Sequence, residues 1–261
     1  MGLYMKITAL TENTSQAGLP TEHGLSLFIE TAEHRILFDT GQSELFAENA
    51  RRLKIDLGTV DIAVISHGHF DHGGGLKTFL QINSAAPVYI SRYAFEPHYR
   101  SDGEYIGLDL SLKENSRLRF TENVTVIGSG LTLYSCNDRE KIFDLVPAGL
   151  GRKENDVLME DDFRHEQYLL IEENGKRVLL SGCSHKGIRN LVRWFRPDVL
   201  VGGFHFFRLP VDQKLQSYGK DLDAFPTKYY TCHCTGTEQY ECLAACMRDL
   251  HYLSAGQTIT I

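Results

Sequence analysis

Residues 61–76 read DIAVISHGHFDHGGGL. A short apolar run passes at once into three histidines and one aspartate within six positions, and then into three glycines. An unalternated apolar run of this length reads as a strand buried on both faces, as in a sheet covered on each side. The polar residues must therefore gather where that strand ends. In extended backbone, His67 and His69 point the same way, because side chains alternate with period 2. Asp71 and His72 follow as the chain bends towards a helix. Imidazole and carboxylate together suit zinc, and also manganese or iron. Gly68, Gly73, Gly74 and Gly75 take side chains away from the same turn, so backbone and ligand can approach closely. A single histidine reads as an ordinary surface or packed residue. Four donors crowded at a strand end read as a metal-binding loop.

The rest of the chain fits a mixed α/β protein of one domain, residues 1–261. Residues 46–60 and 73–83 read as helices, and "PVYIS" as the next strand. "EQYLLIEENGKRVLLSG" holds two strands around Asn174-Gly175, a strong hairpin signal. Helices and strands then alternate through "SHKGIRNLVRWF", "PDVLVGGF", "KYYTCHCTG", "EQYECLAACMRDL" and "TITI". Within residues 91–160, the stretch 92–117 lacks a clean period, while "NVTVIGSGLTLYS" reads as strands. The segment as a whole reads as a lid or insert, with "VPAGLGRKENDVLMEDDFRH" as polar loop.

The net charge of −7 disfavours a polyphosphate partner, so nucleic acid is not expected. A small anionic substrate held by local basic residues remains compatible. Arg92, His98, Arg100, Arg152 and Lys153 lie where the lid is expected, as phosphate-holding candidates or as solvated charge. No secretory leader and no long apolar segment is visible, so no membrane partner and a cytoplasmic location are expected. The six cysteines are too sparse for a disulfide scaffold. Cys242 and Cys246 read as core on a helix face rather than as part of a metal cluster. Nothing in the sequence fixes the oligomeric state.

The H-x-H-x-D-H loop resembles the hallmark of the metallo-β-lactamase superfamily. "ILFDTG", ending at Gly41, resembles the first motif of that family, with Asp39 in the place of an aspartate that orients a ligand. The resemblance implies an αββα sandwich, two mixed β-sheets flanked by helices, with one or two divalent metal ions at one edge. It implies His67 and His69 on one metal and Asp71 and His72 on the other. "TEHGLSL", "LSGCSHKGIRN", "VGGFH" and "HCTG" resemble a narrower group, that of the dihydropterin–ribofuranosylaminobenzene phosphate synthases. From it, His185 and His233 are carried over as the ligands from the second half. His165 precedes a strand, where a third-motif histidine often lies, and is an alternative ligand or an orienting residue. Where the superfamily usually has a bridging aspartate this sequence has none, and Cys183 is nearest. Glu22, His23 and His205 are candidates for the substrate wall, His23 and His205 equally readable as packed core.

The resemblance implies a metal-dependent hydrolase acting on a small phosphorylated substrate through a metal-bound hydroxide, with Asp71 and Asp39 as catalytic residues. The alternatives are a transferase of the named synthase type and a metal-binding sensing module with little turnover. A di-iron oxygen or nitric-oxide reductase is disfavoured, because its loop resembles H-x-E-x-D and here His69 stands at the glutamate.

Overall fold

The computed structural model describes residues 4–146, 148–155 and 157–261. Its contacts divide into two compact units, each discontinuous in sequence: residues 1–122, 149–165 and 254–261 form the first, residues 123–148 and 166–253 the second.

The first unit is built on a sheet of seven strands among the described residues. Their order is Thr258–Thr260, Lys6–Thr11, Ser26–Glu30, Arg35–Phe38, Ile62–Ile65, Val88–Ser91 and Leu118–Thr121. The first four pair antiparallel, while the pairs from Arg35–Phe38 onwards are parallel. Parallel neighbours need a crossover. The helices Leu45–Arg52 and Leu76–Ile82 lie in the first two of them. All of Ile62–Ile65 is buried, as its unbroken apolar run requires. Leu37, Ala63, Ile65, Val88 and Ile90 share one core with Phe46, Ala50, Leu76 and Phe79 of the helices.

The second unit carries the sheet Leu250–Tyr252, Lys228–Thr231, Val199–Gly202, Lys176–Ser181, Tyr168–Glu173, Leu131–Tyr134 and Val124–Gly128. Its first four strands run parallel. Asn174 (φ 51°) and Gly175 (φ 74°) both take left-handed backbone, the requirement of a two-residue type I′ turn. The helices Ile188–Phe195, Gln213–Asp223 and Thr237–Ala244 connect the parallel strands, with Leu191, Phe195, Leu215 and Leu243 in the core.

The reading of residues 146–165 as polar loop is corrected within 150–160. Leu150–Glu154 and Val157–Glu160 pair as a hairpin, and Leu150–Glu154 also pairs with His98–Arg100. Its charged residues mask the strand pattern, and every residue of Val157–Glu160 is exposed. In each unit the chemistry-bearing residues follow the carboxyl ends of parallel strands: Asp39 and His67 in the first, Cys183, His205 and His233 in the second. Open α/β sheets commonly place ligands there.

Candidate metal centre

The loop after Ile62–Ile65 is organised by Asp39. This residue has φ 62°, a backbone state that Asp and Asn adopt more readily than most residues. Its Oδ1 accepts from the Ser66 backbone N–H at 2.7 Å, and its Oδ2 from Ser66 Oγ at 2.7 Å. His72 Nδ1 lies at 2.7 Å from the same Oδ2. Facing a carboxylate, Nδ1 carries the ring proton, which leaves the His72 lone pair on Nε2. Ser66 Oγ spends its proton on Asp39, so it accepts from His67 Nδ1 at 2.9 Å. The lone pair of His67 is thereby also on Nε2. One buried carboxylate thus sets the tautomer of two histidines.

His69 occupies the N-cap position of the short helix Phe70–Gly73, with its side chain making no capping bond. Burial, followed by the neighbouring His165 and His98, holds its pKa well below 6.5. The ring therefore stays neutral, as ligation demands. His67, His69 and Asp71 each offer a donor atom, all within 4.8 Å of one another. His23 Nε2 stands 3.3 Å from Asp71 Oδ2 and is 44% exposed. His72 Nε2 lies 4.0 Å from that oxygen. Imidazoles held at Nδ1 beside a carboxylate fit a divalent cation. Glu22 is committed elsewhere: it accepts from Gln42 N at 3.0 Å and Ser43 Oγ at 2.5 Å, pinning the loop after Asp39.

His165 is fully buried, and its Nδ1 accepts from the Gly68 backbone N–H at 2.8 Å. It therefore holds the peptide between His67 and His69. Asp161 faces it, with Oδ2 at 3.3 Å from His165 Nε2 and 2.9 Å from His98 Nδ1. Burial raises the Asp161 carboxyl pKa, but the His165 and His98 imidazoles beside it outweigh that and hold the group well below the usual range. His98 is thus no surface charge. The basic residues near it have partners: Arg92 with Glu122, Arg100 with Glu104, and Arg152 with Glu154. Lys153 Nζ sits 4.5 Å over the Tyr99 ring.

In the second unit His185 and His233 are buried. The Glu166 carboxylate accepts the backbone N–H groups of His185 at 2.8 Å and Lys186 at 3.1 Å. The His205 ring is 4.4 Å from that of His185. Cys183 is buried, and its carbonyl faces Cys234 Sγ at 3.6 Å. The sequence reading missed Ser66, Asp161 and Glu166. Ser66 adjoins the loop, whereas Asp161 and Glu166 carry no spacing signal.

The metallo-beta-lactamase superfamily model matches residues 19–216. A 7,8-dihydropterin-6-methyl-4-(beta-D-ribofuranosyl)-aminobenzene-5'-phosphate synthase of Methanocaldococcus jannaschii is 30% identical, over 89% of this chain and 88% of its own. A solved structure described as a metal-dependent hydrolase of the beta-lactamase superfamily superposes with a TM-score of 0.85 at 28% identity, over 98% of this chain and 99% of that one. The metallo-beta-lactamase fold protein YhfI of Bacillus subtilis shares the fold, with a TM-score of 0.62 at 12% identity over 99% of each chain. The chain belongs to the metallo-beta-lactamase superfamily.

Proposed function

We propose that this protein is a metal-dependent hydrolase of a small phosphorylated substrate. His67, His69, Asp71 and His72, with His185 and His233 from the second unit, are the proposed ligands of one or two divalent ions. Zinc is the first choice, and manganese or iron would suit the same donors. The observation that carries this reading is the Asp39–Ser66 network. It spends three buried hydrogen bonds on orienting a loop in which His67 and His72 present Nε2, an arrangement typical of ligating imidazoles.

Bound there, a divalent ion supplies Lewis-acid polarisation and acidifies water. The chain's own residues do the rest. Asp39 holds His72, and through Ser66 it holds His67. Asp71 Oδ2 can hold a proton and pass it to His23, whose partly exposed ring leads to solvent. His205, beside His185, is proposed as part of the substrate wall, and Cys183 as a buried neighbour of the ligands. No disulfide joins the six cysteines, which suits a reducing cytoplasm. The acidic net charge supports a small molecule over nucleic acid. No helix among the described residues is long and apolar enough to cross a membrane.

The 30% identical synthase favours a second reading, a transferase joining a pterin to an aminobenzene ribofuranosyl phosphate. The test offers zinc- or manganese-loaded protein a panel of phosphate esters and anhydrides beside the pterin pair. Metal-dependent ester or anhydride cleavage, lost in a folded Asp71→Ala variant, supports hydrolysis. Product formed only when both pterin substrates are present replaces it with the transferase. No turnover in either arm would reduce the protein to a metal-binding sensor.

A further inference from the structure

Four buried side chains of the first unit form a donor set that the proposed hydrolase does not use as such. His69, His98, Asp161 and His165 each offer one ligand atom, all within 4.8 Å of one another. We propose that they form an additional divalent-cation site, complete within this one unit.

The chemistry of each member points the same way. His165 Nδ1 accepts from Gly68 N–H at 2.8 Å, so its second nitrogen carries either a proton or a metal. That nitrogen, Nε2, faces Asp161 Oδ2 at 3.3 Å. His98 Nδ1 faces the same oxygen at 2.9 Å. Asp161 Oδ1 accepts from Phe163 N at 2.7 Å, which fixes the carboxylate plane. Two imidazoles therefore converge on one oxygen of a held carboxylate. The His98 and His165 rings lie 3.9 Å apart, and His69 approaches them at 5.5 Å and 5.0 Å between centroids. His98 Nε2 is buried and has no hydrogen-bond partner among the described residues, an arrangement that folded proteins seldom tolerate without a ligand.

Three imidazoles and one carboxylate make a set suited to zinc, ferrous iron or manganese. His69 belongs both to this set and to the His67–Asp71 loop. When the loop engages it, His98, Asp161 and His165 still supply two imidazoles and a carboxylate.

The test uses the whole chain, stripped with a chelator and reloaded with zinc chloride alone. Crystals of the wild type are mapped by anomalous scattering at the zinc edge. The expected result is a peak about 2.0–2.2 Å from donor atoms of His98, Asp161 and His165. In solution, atomic emission is expected to find one zinc fewer per chain in His98→Gln than in wild type. Zinc at the His67–His72 loop alone, or equal zinc in the two proteins, would overturn the proposal. Should His98→Gln fail to fold, the wild-type map decides. Because the map locates each ion separately, failure here is distinct from failure of the loop as a metal centre.

Discussion

His72 Nδ1 lies 2.7 Å from Asp39 Oδ2, and neither side chain reaches solvent. The same carboxylate takes both polar hydrogens of Ser66. Asp39→Asn keeps the left-handed backbone accessible but presents an amide to three donors. Zinc affinity, measured by calorimetric titration, is expected to fall about 10- to 100-fold. Asp39→Ala additionally leaves buried donors unmet, and urea unfolding should show a loss of about 3 kcal/mol. Unchanged zinc affinity in Asp39→Asn would detach this carboxylate from the metal loop.

Gly68 has no room for a methyl group. A Cβ there would meet the Ala94 carbonyl oxygen at 2.2 Å, and the Gly68 N–H is already held by His165. Because the obstacle is backbone, it cannot swing away. Gly68→Ala is expected to cost about 3 kcal/mol in chemical denaturation. It should also weaken zinc binding, since the two flanking histidines must shift. A variant as stable as wild type would show the loop to be more pliable than this packing implies.

Glu166 positions the other histidine loop. Its carboxylate accepts two consecutive backbone N–H groups, and Lys186 Nζ donates to its carbonyl at 2.9 Å. Glu166→Gln turns one acceptor into a donor that faces a peptide N–H. The expected loss is about 2 kcal/mol of stability, read as a lower urea midpoint at constant slope.

Burial raises the pKa of the Cys136 thiol to about 12. In the unfolded chain this thiol ionises near 9, so between pH 9 and about 12 the folded state holds the proton and the unfolded state loses it. Stability contributed by Cys136 is therefore intact below pH 9 and declines as pH rises through that window. Urea unfolding at pH 8, 9 and 10 checks the sign, and Cys136→Ala should flatten the decline. At pH 8 the folded thiol should resist iodoacetamide.

Removing metal should lower the melting temperature. A ligand at about 100 times its dissociation constant adds about 2.7 kcal/mol to the folded state. Thermal unfolding with and without a chelator, followed by zinc addition, should show a reversible shift. No shift would count against any structural metal.

Much of the fold could be read from local pattern. The apolar runs at 62–65 and 199–202 became buried parallel strands, and Asn174-Gly175 became a tight turn. The 150–160 hairpin escaped because Leu150–Glu154 carries three charged residues in a row and the apolar Val157, Leu158 and Met159 of its partner strand are exposed, so no core face imposes alternation. At the site, the dense spacing of His67 to His72 was legible. Asp39 was legible only through its resemblance to a family motif. Asp161 and Glu166 act on residues brought near them by tertiary folding, across separations that no local spacing records.

The Asn174-Gly175 hairpin also bears on how the second sheet comes into being. Joining Tyr168–Glu173 to Lys176–Ser181 closes a very short loop, so its entropic cost is small beside that of the parallel pairings. This hairpin is where ordered structure should first survive during refolding, and its amides should be among the earliest protected from exchange. Cys183 and His185 follow directly from its second strand, so their scaffold takes shape before the slower crossovers are complete.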